Sequence, residues 1–268
     1  MITGGASGIG EGLAERFHAE GARHIVVADR NESGARAVAD RIGGTGVGLD
    51  VSSEEAIEEL VASTLSAHGG IDLFVSNAGF VAPGGLESPT EDFQRNWEVH
   101  VMSHVYAARA VLPSMISRGG GYLLNTASAA GLLAQIGCVT YSVTKHAAVA
   151  LAEWIAITHG YQGIRVSVLC PQAVATGIVE NSLALYPDRS VDDSPNPAER
   201  DGTLGVNDVS DCVMDALNEE RFWVLPHPEV AEYAKRKGSD IDRWIGGMQR
   251  WQERMYRGLP QPGDKLAD

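Results

Sequence analysis

Residues 1–29 read MITGGASGIGEGLAERFHAEGARHIVVAD. Gly4, Gly8 and Gly10 surround Ser7, and the apolar positions Leu13, Ala14 and Phe17 then recur with helical period as far as Gly21, so the spacing predicts a glycine loop opening a helix. Backbone N–H groups in such a loop approach a pyrophosphate closely, and the positive end of the helix dipole favours its charge. The spacing is Gly-x-x-x-Gly-x-Gly rather than the commoner Gly-x-Gly-x-x-Gly fingerprint. A β-branched run over residues 24–28 follows and ends at Asp29, nineteen residues past Gly10. A carboxylate at that separation is placed to take ribose hydroxyls and repel a 2′-phosphate, so Asp29 favours NAD over NADP. The adjacent Arg30 is read as a surface charge.

The alternation continues along the chain. A helix over residues 33–42 leads to a strand over 47–51 with Asp50 near its end, and Ser53 caps a helix reaching residue 67. Residues 71–76 (IDLFVS) read as a buried strand, and the small turn Asn77, Ala78 and Gly79 stands at its carboxyl end, the edge where ligands of open parallel sheets lie. A long helix is expected over 90–117 with Phe93, Trp97, Val101, Val105 and Ala108 on one side. Further strands are expected over 122–126, 165–170 and 221–225, with helices ending near 159 and spanning 206–217. Between 177 and 205 the composition turns to Asp, Pro, Asn and Ser, a long structureless loop of the kind that forms a lid over a substrate. In the tail, 226–268, the residues Ile241, Trp244, Ile245, Met248, Trp251 and Met255 form a helical stripe, read as packing. The pattern predicts an α/β fold, a doubly wound parallel sheet of Rossmann type, in a single domain of 268 residues.

A net charge of −14 argues against a nucleic-acid partner, since phosphate binding needs clustered Lys and Arg. No apolar run approaches the ~20 residues that span a bilayer, and the first residues lack the basic-then-apolar pattern of a secretion signal. Cys138, Cys170 and Cys212 are odd in number and far apart, which fits a reducing, cytoplasmic location.

The chemistry concentrates in residues 125–145, NTASAAGLLAQIGCVTYSVTK. Tyr141 and Lys145 lie four apart at the start of an apolar helical run (Val143, Ala147, Ala148, Leu151, Ile155), so they share a helix face. An ammonium beside a phenol favours the phenolate and draws its pKa down from about 10, which makes Tyr141 a candidate general acid/base. Ser128, just after the strand ending at Thr126, is placed to donate to an oxygen gaining charge. His100 and His104 are also four apart, but no acidic partner completes a zinc set, so no metal is expected.

Together these residues resemble the short-chain dehydrogenase/reductase family in its compact form, from Thr3 to about Leu225. The glycines, the Asn77-Ala78-Gly79 turn, Ser128, the Tyr141-x-x-x-Lys145 pair, and Pro171 with Thr176 occur in the family's order and spacing. The resemblance implies a seven-stranded parallel sheet, NAD or NADP as cofactor, and a homo-oligomer, tetramer or dimer. It implies that Tyr141 exchanges a proton with the substrate oxygen, that Ser128 hydrogen-bonds that oxygen, and that Lys145 lowers the tyrosine pKa and binds the nicotinamide ribose. It places the cofactor along Thr3, Gly4, Ser7, Gly8, Ile9, Gly10, Asp29, Asp50, Val51, Asn77, Ala78, Gly79, Tyr141, Lys145, Pro171, Val174 and Thr176, with Asp50 at the adenine and Val174 and Thr176 at the carboxamide. The implied reaction is hydride transfer between NAD(H) and a secondary alcohol or ketone. Leu132, Leu133 and Ile136 are placed to line an apolar pocket for a hydrophobic substrate.

The chain departs from the family at three places. Val99-His100 stands where the family has Val-Asn, whose asparagine belongs to its proton relay, and His100 is expected to substitute because imidazole both donates and accepts a proton. Gln172 stands where glycine usually follows the proline. Only Met1 and Ile2 precede Thr3, so the central strand is expected to be missing, as from a late-assigned start. These departures frame the alternative reading, a catalytically impaired NAD-binding protein of the same fold.

Overall fold

A computed structural model describes residues 1–186 and 195–266. Seven parallel strands form one sheet in the order β3-β2-β1-β4-β5-β6-β7. They are β1 (Ile2–Thr3), β2 (Val26–Asp29), β3 (Thr45–Gly48), β4 (Leu73–Ser76), β5 (Gly121–Thr126), β6 (Ile164–Leu169) and β7 (Trp223–Val224). Side chains alternate across the sheet because the strand period is two. Val26, Ala28, Phe74, Leu123, Val166 and Val168 pack on one face against α3 (Glu54–His68), α5 (Ser103–Ser117) and α6 (Val139–His159). Ile2, Val27, Val75, Leu124, Leu169 and Val224 pack on the other against α1 (Gly8–Ala19), α2 (Glu32–Arg41) and α8 (Val206–Asn218). The doubly wound α/β architecture read from the sequence is the one observed.

Strand order reverses between β1 and β4, so the loops after these two strands part and leave a crevice at their carboxyl ends. The central strand, expected to be missing, is present as a two-residue β1. Ile2 pairs with Val27 and Val75, and the Met1 nitrogen donates to Leu73 O at 2.9 Å, so both neighbouring strands find backbone partners.

The long helix expected over 90–117 is divided into α4 (Thr90–Trp97) and α5 by a π-helical turn, Glu98–Met102. The wider turn shifts the helical register, so the buried face carries Asp92, Asn96, His100, Ser103 and His104, while Trp97 is 42% exposed. Of the expected apolar stripe, Val101 and Ala108 are buried and Phe93 and Val105 are half-buried, so a polar face and part of the stripe share the burial. On α6, Tyr141, Lys145, Ala148, Ala152 and Ile155 are buried, but Val143 points off that face and is 50% exposed.

The stretch expected to be a structureless lid contains α7 (Ile178–Leu183) and a short 3-10 turn, Pro197–Glu199, while its residues 187–194 lie outside the described residues. Two tail helices follow, α9 (Glu229–Ser239) and α10 (Ile241–Met255). The expectation that the α10 stripe is packing is corrected: α10 buries none of its residues fully, and Trp244, Met248 and Trp251 line a cavity instead. Among the described residues no helix is long and apolar enough to cross a membrane.

Candidate functional site

The glycine loop closes on itself at the end of β1. Gly4 and Gly8 take φ of 64° and 56°, the left-handed region that favours glycine. A methyl at Gly10 would meet Gly4 O at 2.1 Å, so the turn exists only because position 10 has no side chain. Ser7 caps α1 by its backbone and leaves its hydroxyl exposed, and Ile9 packs on the core beneath. The Asp29 carboxylate accepts from Ala6 N at 3.1 Å and from Asn31 N at 2.8 Å, which joins the end of β2 to the loop. These features fit a dinucleotide: a side-chain-free turn at a helix N-terminus, with a carboxylate beside it.

Asn77 is the knot of the crevice. Its side-chain nitrogen donates to Thr3 O and Gly4 O, each at 3.1 Å, and its side-chain oxygen accepts from Thr126 Oγ1 at 3.1 Å. Thr3 Oγ1 accepts from Asn77 N at 3.0 Å and Ala78 N at 3.3 Å. One asparagine thus fixes the ends of β1, β4 and β5 together, with Gly79 running beside His100 and Lys145. Thr176 lies against Gly8 from the other side, 3.1 Å from where a methyl on that glycine would stand. Val174 bridges Leu204, which brings the end of the 177–205 stretch back to the strand end. Asp50 accepts from Ser52 N at 2.9 Å and Ser52 Oγ at 2.7 Å, bonds that hold its pKa below the usual carboxylate value, and Val51 beside it is buried.

Tyr141, Ser128 and Lys145 come together on the far side. Lys145 Nζ lies 5.5 Å from the Tyr141 ring centroid and donates to Thr126 O at 2.9 Å. Ser128, just past β5, accepts from Ala130 N at 3.1 Å and donates to Pro171 O at 3.4 Å. The expected depression of the tyrosine pKa by Lys145 is corrected. Burial pushes the phenol up to about 12, a hydrogen bond from Ser128 only partly offsetting it, and burial brings Lys145 down to about 8. Each loses water, so each neutral form is favoured, and this outweighs their mutual attraction.

His100 is wholly buried, its ring 5.5 Å from that of Tyr141 and perpendicular to it. Nε2 accepts from Phe80 N at 3.2 Å, which leaves the proton on Nδ1, 3.0 Å from Thr144 Oγ1. Both nitrogens are committed, and burial followed by Lys145 keeps the ring neutral, its pKa well below 6.5. His104 is also buried and is driven down to about 3 by the same two causes. Among the described residues no cluster of His, Cys, Asp and Glu suits a metal.

Beyond Ser128 lies a cavity of about 500 Å³, walled by Ala129, Ala130, Leu133 and Gln172 on the sheet side. Leu133 is the member of the expected apolar trio that reaches it. Gln172 Nε2 donates to Asp201 at 2.8 Å, and Tyr233 Oη of α9 donates to the same carboxylate at 3.0 Å. Gln172 N donates to the buried His227 Nδ1 at 3.2 Å. Sequence reading missed Arg200, Tyr233, Trp244 and Trp251 in this wall; the aromatic stripe of α10 was the available signal.

The family described as short chain dehydrogenase matches residues 1–185. The 1-deoxy-11-beta-hydroxypentalenate dehydrogenase of Streptomyces exfoliatus is 31% identical over 91% of this chain and 88% of its own length. Among solved structures, a short-chain dehydrogenase/reductase from Burkholderia phymatum in complex with NAD superposes with TM-score 0.80 and 31% identity, over 90% of this chain and 92% of that one. The L-sorbose reductase of Gluconobacter frateurii, complexed with NADPH and L-sorbose, gives 0.70 and 28% over 84% and 94%. With seven parallel strands, the glycine loop and the Ser128, Tyr141 and Lys145 group in place, the chain belongs to the short-chain dehydrogenase family of oxidoreductases.

Proposed function

We propose that this protein transfers hydride between NAD(H) and a secondary alcohol or ketone, with Tyr141 as the group that exchanges the substrate's proton. The observation that carries this reading is the buried phenol of Tyr141, packed against Ala130 where Ala130 and Ser128 wall a cavity of about 500 Å³. Asp29 at the loop supports NAD over NADP, because a second negative charge there meets a carboxylate. Thr3, Gly4, Ser7, Gly8, Ile9 and Gly10 would hold the pyrophosphate side, Asp29, Asp50 and Val51 the adenosine, and Asn77, Ala78 and Gly79 the middle of the crevice. Lys145, Pro171, Val174 and Thr176 would hold the nicotinamide end. The bound dinucleotide supplies the hydride acceptor or donor.

The protein's own part is positioning and the proton. Tyr141 Oη gives its proton to the substrate oxygen in ketone reduction and takes it in alcohol oxidation, while Ser128 Oγ donates to the same oxygen. A phenol held near 12 is in its acid form at neutral pH, the form that donates to a ketone oxygen. Lys145, anchored on Thr126 O, keeps a cation beside any phenolate that forms. His100 acts as a positioning residue that fixes Phe80, Thr144 and the edge of Tyr141. The name of the Streptomyces exfoliatus relative, a dehydrogenase of a hydroxy compound, supports an alcohol or ketone.

The exposed Trp154 and Ile157, with Tyr161 in the turn that follows, support a homo-oligomer built on the outer face of α6. The three free cysteines support a cytoplasmic location. The test is NADH consumption with a panel of apolar ketones. Tyr141→Phe is expected to lower kcat by about 10²–10⁴-fold while NADH binding, read by nicotinamide fluorescence, persists. Turnover that survives this change would overturn the role of Tyr141, and NADH binding without turnover of any ketone would favour the catalytically impaired alternative.

A further inference from the structure

The outer wall of the cavity carries Arg200, Arg236 and Arg243 against a single carboxylate, Asp240, in a chain whose net charge is −14. The three arginines differ in how they are already occupied. Arg236 is paired with Glu232 at 2.8 Å on its own helix. Arg200 stands 4.0 Å from Asp201 and lies over the rings of Tyr233 and Trp251, at 5.5 and 5.0 Å. Arg243 has no carboxylate within 4.0 Å among the described residues, and the nearby Asp240 spends Oδ1 on capping α10 through Arg243 N at 2.9 Å. Between these charges the wall is apolar, with Trp244, Met248 and Trp251 facing Ala130 and Leu133 across the space.

An unpaired guanidinium at the edge of an apolar cavity offers one planar fork of donors, which matches one carboxylate. It also offsets, at the cavity wall, the repulsion that an acidic chain exerts on an anion. We propose that the substrate is an apolar ketone or alcohol bearing a carboxylate, its body on Trp244, Met248 and Trp251 and its carboxylate on Arg243, with Arg200 beside it. The proposal rests on the hydride-transfer reading for which end of the substrate meets Ser128, and on the cavity wall for the rest.

The test is calorimetric titration of the NADH-loaded protein with two methyl ketone acids, 5-oxohexanoate and 9-oxodecanoate, each against its methyl ester. At one of the two lengths the acid is expected to bind tighter than its ester by about tenfold or more, the order of one charge-assisted bidentate contact. Arg243→Gln is expected to remove that advantage, with its fold checked by near-ultraviolet circular dichroism, and rising salt is expected to narrow it. A smaller preference at both lengths, no measurable binding of either acid, or a preference that survives Arg243→Gln overturns the proposal. Titrating NADH itself, and repeating the acid and ester titrations without it, separates the two readings: failure to bind NADH strikes the hydride-transfer reading, while the acid-to-ester ratio of the free protein still decides the carboxylate.

Discussion

The side-chain nitrogen of Lys145 donates to the carbonyl oxygen of Thr126 at 2.9 Å, so the helix that carries Tyr141 is tied to the end of the strand that precedes Ser128. The bond compensates only part of the cost of burying an ammonium, and the pKa of Lys145 falls from 10.5 to about 8.

That shift sets a pH dependence of stability. The folded pKa lies below the unfolded one, so between about 8 and 10.5 the unfolded chain binds more protons and stability rises with pH. The native protein is expected to gain about 2 kcal/mol between pH 8 and pH 10 relative to Lys145→Met. Urea midpoints of both proteins at the two pH values check this; an equal response would show that the buried ammonium carries no such penalty. Tyr141, raised to about 12, works in the opposite sense as pH rises through 10 and beyond, so the comparison stops there.

Gly10→Ala places a methyl 2.1 Å from Gly4 O and 2.7 Å from the Asn77 side-chain nitrogen, both held by other bonds. It is expected to cost about 1–3 kcal/mol and to weaken NADH binding by more than tenfold. Gly238→Ala on α9, with nothing within 4 Å of the added methyl, is the contrast: a gain of about 0.5–1 kcal/mol from helix propensity. Thermal unfolding and nicotinamide fluorescence on the two variants read out both effects.

Replacing His100 by Ala leaves the Phe80 N–H without its acceptor and opens a hole against Tyr141. A loss of about 2–4 kcal/mol and a fall in kcat are expected, with the pH–rate profile between 5 and 8 keeping its shape because the ring is already neutral there. His100→Asn, which can still accept from Phe80, is expected to recover part of the rate. If the alanine variant instead loses an ionisation from that profile, the imidazole relays protons.

The fold was legible because each local signal agreed with the next: helical and strand periods alternate from Gly8 to Val224, and the glycine loop opens the first helix. Where one residue's environment depended on several elements, the reading failed. Tyr141 and Lys145 four apart on a helix imply a shared face, but not that burial on that face would drive both toward neutrality. His100 looked free to carry protons because nothing in the sequence marks Phe80 N and Thr144 as its partners. The π turn that buries a polar face of the fourth helix has no local sequence sign, and the wall of Trp244, Met248 and Trp251 reads as packing in the sequence because amphipathic spacing is the same for a core and for a cavity.

Asp201 receives the hydrogens of both Gln172 and Tyr233, so the segment behind β6, the stretch around Asp201 and the first tail helix meet at one carboxylate. Displacing α9 therefore pulls on the same loop that carries Val174 and Thr176. On the proposed reading, substrate entry and the seating of the dinucleotide's reactive end are linked through the Asp201 carboxylate and through the backbone bonds of Ala173 and Ala175 with Ala198 and Leu204.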